Sequence, residues 1–181
     1  MKRIAVMAGV AALVAGCGAS SSGSFERMAG HVPPLKVEFA SPAWKGETIP
    51  EGQQCRADGG NGATPPLMVK DIPKAADTVV VSFSDRDSKR LDNGGMGVIG
   101  FKVGEGASTI LPAVSGGRAD LSGVAFVIKN NRDTDTPGGY LPPCSGGAGH
   151  LYEAKVMAVD RNENGAGGMV LAERTVQLGT Y

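Results

Sequence analysis

The sequence predicts an all-β domain, an antiparallel sandwich or barrel of short strands. Three observations carry this. Glycine and proline are abundant, 28 and 11 of 181 residues, which argues for many turns and against long helices. Six short runs are β-branched or alternate apolar with polar residues. No alternation of strands with helical segments is visible, so a doubly wound fold is not expected. Hydrophobic residues make up 41% of the chain, enough to fill one core.

Taken in order, residues 35–39 (LKVEF) alternate as a half-buried strand does. Residues 78–83 (TVVVSF) form a continuous β-branched run between Pro73 and the charged Asp85-Arg86-Asp87. Residues 98–103 (VIGFKV) predict another strand, weakened by Gly100, and 123–129 (GVAFVIK) a third buried run. Residues 151–159 and 171–178 also alternate. Their Glu, Ala, Lys and Met content admits an amphipathic helix as well. Strands are preferred because Asn162-Glu163-Asn164-Gly165, extended by Gly167-Gly168, is turn chemistry.

The N-terminal residues stand apart. Met1-Lys2-Arg3 is a short positive segment, followed by an apolar run over 4–14. That is signal-peptide length and short for a bilayer span. It ends in Leu13-Val14-Ala15-Gly16-Cys17, which resembles a bacterial lipobox: an aliphatic residue, two small residues, then the cysteine that carries the lipid. The expected organisation is a lipoprotein signal peptide over 1–16, a lipidated Cys17 with a flexible tether to residue 34, and a domain over 35–181. Lipid on Cys17 would anchor the chain stably, since each buried CH₂ contributes about 0.8 kcal/mol. Gly18 is not the Asp that favours retention at the inner membrane. The expected location is therefore the cell envelope, at the periplasmic face of the outer membrane.

Charge excludes several classes of partner. Eighteen basic residues balance eighteen acidic ones. Removing Lys2 and Arg3 leaves 16 against 18, a mildly acidic mature chain. No basic footprint for nucleic acid exists. Three Cys and two His leave little room for a four-ligand zinc site. The pairs Gly94-Gly95, Gly116-Gly117 and Gly146-Gly147 match no phosphate-binding or dinucleotide fingerprint and read as turns. No nucleophile elbow is present. The expectation is a protein that is not an enzyme and holds no cofactor or metal.

Two constellations carry chemistry. Asp85 and Asp87 flank Arg86 at a predicted strand end; they read either as a binding loop or as a solvated charged turn. His150 precedes Tyr152 by two residues, so on a strand both point to one face. An imidazole and a phenol there could donate to a phosphate or carboxylate, or be a structural pair.

The order of motifs resembles the phosphatidylethanolamine-binding protein family, in its bacterial Raf-kinase-inhibitor-like branch. Ser41-Pro42-Ala43-Trp44 and Gly46-Glu47-Thr48-Ile49-Pro50 resemble its opening. Cys55, Asp58-Gly59, Asn61, Thr64-Pro65-Pro66-Leu67, Ile72-Pro73 and Asp85-Arg86-Asp87 follow in its order. Tyr140-Leu141-Pro142-Pro143-Cys144 and His150-Leu151-Tyr152 resemble two later motifs, and 170–181 its C-terminal segment. The resemblance covers 35–181. It implies an antiparallel β-sandwich with little helix and a small anion-binding pocket at one end. Asp85, Asp87, His150 and Tyr152 fall on ligand positions; Arg86, Tyr140, Pro142 and Pro143 fall on the rim. The implied ligand is a small anion or a phospholipid headgroup. The resemblance also implies a Cys55–Cys144 disulfide, with two free thiols as the alternative.

Departures fall on the pocket. The family's His-Trp pair should lie within 93–99, which reads NGGMGVI. Arg86 replaces the central Pro of Asp-Pro-Asp. Pro142 stands where a Gly would let backbone approach an anion, and it lacks an N–H. Ser145-Gly146 replaces a Pro pair. A structural or protein-interaction lipoprotein with a vestigial pocket is therefore the rival reading.

Overall fold

A computed structural model describes residues 24–27, 30–121, 123, 125–162 and 167–181. The expected signal peptide, Cys17 and residues 18–23 and 28–29 of the tether lie outside the described residues, as does most of the Asn162–Gly165 turn. Nine strands follow one another: β1 Phe25–Arg27, β2 Lys36–Phe39, β3 Leu67–Lys70, β4 Thr78–Asp85, β5 Val98–Lys102, β6 Ser108–Leu111, β7 Ala125–Lys129, β8 Leu151–Arg161 and β9 Gly168–Thr180. Among the described residues the helical content is a single 3₁₀ turn at Arg56–Asp58.

The strands make two sheets. The large one has the order β1-β9-β8-β4-β5-β7 and the small one β2-β3-β6. Both segments that admitted a helix are strands, and together they form the long β8–β9 hairpin, bulged at Tyr152/Glu153 and Ala158/Val159. Alternation prevails there because both strands have one face on the core: Tyr152, Ala154, Val156 and Ala158 are all at most 1% exposed.

The core lies between the sheets. Val79, Val81, Phe83, Ile99 and Phe101 of the large sheet meet Leu67, Val69 and Leu111 of the small one. The valine run of β4 is buried on both faces, because Val80 joins Met157, Val159 and Val170 in a second cluster on the far side. Phe25, Val32 and Ile128 pack on that cluster. Gly100 is required in β5 because a Cβ there would collide with the Phe126 ring, over which the Arg161 guanidinium sits at 4.6 Å.

Three strands were not expected. β3 and β6 are four residues each, too short for a period of two to stand out from their surroundings. Each gains stability from its neighbour in the small sheet: Leu67 pairs with Leu111, and Val69 with Val37. β1 falls inside the expected tether. It pairs with β9 in parallel, Phe25 opposite Gly168 and Arg27 opposite Val170, so the sheet is mixed rather than purely antiparallel. The chain continues along β9, where the Leu35 N–H donates to Glu173 and the Glu173 N–H to Pro33. Glu173 also accepts Arg27 and Lys155, both at 3.1 Å. Burial raises the Glu173 pKa, and the two cations outweigh it, so the net shift is downward. Residues 25–27, inside the expected tether, are thus part of the sheet.

Candidate functional site

The site forms where the end of β4 meets the start of β8. Asp85 is the cross-strand partner of Tyr152, and Phe83 that of Ala154. Directly opposed residues share a face, so Asp85, Tyr152 and, two residues earlier, His150 all point inward. The Asp85 carboxylate is 3% exposed and the His150 ring 30%.

Asp85 is fully committed. Its Oδ2 accepts from His150 Nδ1 at 2.8 Å, and its Oδ1 accepts the Asp87 N–H at 3.0 Å. An ionised carboxylate only accepts, so the proton sits on Nδ1 and Nε2 is left for a ligand. The backbone of His150 is held as well. Its N–H and that of Gly149 donate to the Tyr181 carbonyl, at 2.9 and 2.8 Å. The Ser145 hydroxyl donates to the same oxygen at 2.6 Å.

Two phenols complete the arrangement. Tyr140 and Tyr152 are 0% and 1% exposed; among the described residues neither hydroxyl meets full hydrogen-bond geometry with a partner, although Ser145 and the Cys144 backbone lie close enough to that of Tyr152 to act on it. Tyr140 packs on Phe83 with ring centroids 4.7 Å apart. Burial pushes the Tyr140 hydroxyl well above the ordinary phenol range, and the neighbouring Tyr152 adds to it. Tyr152 is raised chiefly by burial; hydrogen bonding with Ser145 acts against this, the Asp85 charge adds to the rise, and hydrogen bonding with the Cys144 backbone again opposes it. Both phenols therefore stay protonated and able to donate. Buried hydroxyls rarely go without a well-formed bond, so this pair is a donor site without a well-aligned acceptor. Because both pKa values lie above the unfolded 10.0, the associated stability is intact below pH 10 and is lost as pH climbs through the folded values. Tyrosinate absorbance should therefore appear together with the loss of near-ultraviolet circular dichroism. Ionisation of both tyrosines in a still-folded protein would show that they are not sealed in the interior.

The other expected site residues fall elsewhere. The Asp87 side chain reaches across to the start of β8, accepting the Leu151 N–H at 2.8 Å. Arg86 lies on the opposite face, against Asp92 at 2.6 Å and Glu153 at 3.4 Å. It is not on a rim because it alternates with Asp85, whose side chain is inward. Pro142 and Pro143 are buried rather than rim residues. A Cβ on Gly116 would collide with Pro142, and the Pro143 carbonyl accepts the Cys55 N–H at 2.8 Å.

Cys55 and Cys144 form the disulfide, with Cα atoms 5.2 Å apart. Asp58 lies beside them, but a disulfide sulfur has no thiolate to offer a metal. The Asp58 carboxylate instead accepts the Gly146 N–H at 2.8 Å. Where the His-Trp pair is missing, Met96 is buried in the main core at 2% exposure. Its N–H donates to Phe83, and its carbonyl accepts from Leu141, so it borders the segment that carries Tyr140. Gly97 beside it has φ +110°, and a Cβ there would meet the Gly139 carbonyl. Ser145 and Met96 both fall on departures noted in the sequence, the replaced Pro pair and the 93–99 stretch.

No protein-family model matches the chain, and no curated protein matches its sequence. Solved structures do. YbcL of Escherichia coli, described as a new member of the mammalian phosphatidylethanolamine-binding protein family, is 17% identical, with a TM-score of 0.53. The match covers 81% of this chain and 97% of YbcL. A Chlamydia trachomatis protein described as a phosphatidylethanolamine-binding protein homologue is 20% identical, with a TM-score of 0.49, over 82% of this chain and 97% of its own. The fold is thus that of the phosphatidylethanolamine-binding proteins, as the likeness to YbcL carries.

Proposed function

We propose that this domain binds a small oxyanion, a phosphate-like or carboxylate-like group, at His150, Tyr140 and Tyr152 without transforming it. One observation carries the reading: two fully buried phenols without a well-formed hydrogen bond stand beside an imidazole that a buried carboxylate orients. An oxyanion with several lone pairs accepts from both phenols, bonds to an anionic acceptor being the strong ones, and a protonated oxygen on the same group donates to Nε2. Ser145 gives its proton to Tyr181 rather than to the imidazole, which supports binding over acyl transfer. On the same reading the chain is an envelope lipoprotein, anchored through Cys17 at the periplasmic face of the outer membrane.

The test is thermal. Millimolar phosphate or phosphoethanolamine should raise the melting temperature by several degrees, and His150→Ala should remove the shift. Ligand that binds only the folded state at 100 times its Kd stabilises by about 2.7 kcal/mol. Absence of any shift at millimolar ligand would sink the proposal.

The rival reading, an interaction lipoprotein with a vestigial pocket, draws on Met96 and Pro142, both buried beside the segments that should frame the ligand. It expects no thermal shift, and envelope proteins recovered by crosslinking.

A further inference from the structure

We infer that the lipid anchor and the site lie at opposite ends of the domain, so that the site faces away from the anchoring membrane and takes a soluble oxyanion rather than that membrane's own headgroups. The inference rests on the proposed lipidation of Cys17 and on the proposed oxyanion site. Its geometry comes from β1. That strand runs parallel to β9 and begins opposite Gly168. Ser24 lies directly against Gly167, where a Cβ would collide with its carbonyl. The chain therefore enters the sheet at the start of β9. The site lies at the other end of that strand, where Thr180 pairs with Leu151 and Tyr181 holds His150. Between the two ends runs the whole of β8, 11 residues, or about 30 Å at strand rise.

The leash is short. Cys17 precedes Phe25 by eight residues, at most about 28 Å of chain. Turning the site onto the anchoring bilayer would invert the domain and stretch this linker to nearly its full contour. A tether free to residue 34 would impose no such bias; the pairing of β1 and the Leu35–Glu173 bond remove that freedom.

Both ends can be read by energy transfer. The full lipidated chain is placed in nanodiscs carrying a headgroup acceptor dye, with a donor at exposed Asp160→Cys or at exposed Ala148→Cys. The Asp160→Cys donor should transfer at least about twofold more efficiently, and thirty Gly/Ser residues inserted before Gly23 should abolish the difference. Equal transfer in the native-length chain, a reversed order, or failure to insert into the nanodisc overturns the inference. A second arm separates the sources of the oxyanion. The affinity for inorganic phosphate, read from the His150 ring resonances, should not change with the phosphatidylethanolamine content of the disc. A tenfold weakening as that content rises means that the disc's own headgroups compete, and overturns the inference. No phosphate binding in any disc fails the oxyanion reading instead, and with it the soluble ligand, while the transfer arm still reports the orientation.

Discussion

Replacing Cys55 and Cys144 together by alanine is expected to lower stability by about 4–5 kcal/mol on the chain-entropy model. The bridge joins residues 89 apart in sequence. Without it the unfolded chain regains the freedom that this long loop removes. For a domain of this size the loss corresponds to roughly 10–15 °C in melting temperature. The effect should reach the site as well. Cys144 adjoins Ser145 and closes the segment that begins at Tyr140, and Cys55 is bonded to Pro143 through its backbone. The variant should bind phosphate more weakly even at temperatures where it is folded. Calorimetric melting of the wild type with and without reductant, beside the double variant, checks both parts. A change below about 1 kcal/mol would mean that the 53–62 and 140–146 segments hold each other without the covalent link.

Asp85→Ala is expected to cost about 2–3 kcal/mol and to abolish oxyanion binding. Removing the carboxylate leaves both His150 Nδ1 and the Asp87 N–H without their acceptor, and an orphaned donor costs about 1–3 kcal/mol where water is excluded. Part of this is recovered because the His150 ring is 30% exposed and water can reach it. Asp85→Asn separates position from charge. Its amide oxygen can still accept one of the two bonds, so stability should recover by about 1 kcal/mol, while the histidine loses the carboxylate that fixes its tautomer. Binding should remain impaired. If Asp85→Asn bound phosphate as the wild type does, the carboxylate would be a packing element only. Denaturant melts and phosphate titrations of the two variants decide this.

The strands were legible where β-branched or alternating residues ran for five positions or more. The run over 78–83 became β4, and the alternation over 151–159 and 171–178 became β8 and β9. The short β3 and β6 were not legible, because four residues carry too little pattern and their stability comes from a partner distant in sequence. β1 was obscured by the Gly/Ser residues before it. Its three residues are ordered by β9, by Glu173 and by the cluster under Phe25, none of which is local.

The site divides in the same way. That His150 and Tyr152 share a face was a consequence of strand periodicity. That Asp85 joins them and Arg86 does not depended on the register of β4 against β8, in which Asp85 meets Tyr152. A slip of one residue would have exchanged their faces. That the two phenols lack a well-formed hydrogen bond depended on the loop from 140 to 145, which the disulfide and the Tyr181 carbonyl hold in place.

By itself, then, the sequence determined the all-β class, most of the strands, and which residues could share a face, because these follow from local sterics and burial along the chain. The tertiary structure alone decided which strands are neighbours, which charges turn inward, that two buried phenols lack a well-formed hydrogen bond, and that the N-terminal segment enters the sheet far from them. Those outcomes depend on contacts between residues tens of positions apart, whose register no local pattern specifies.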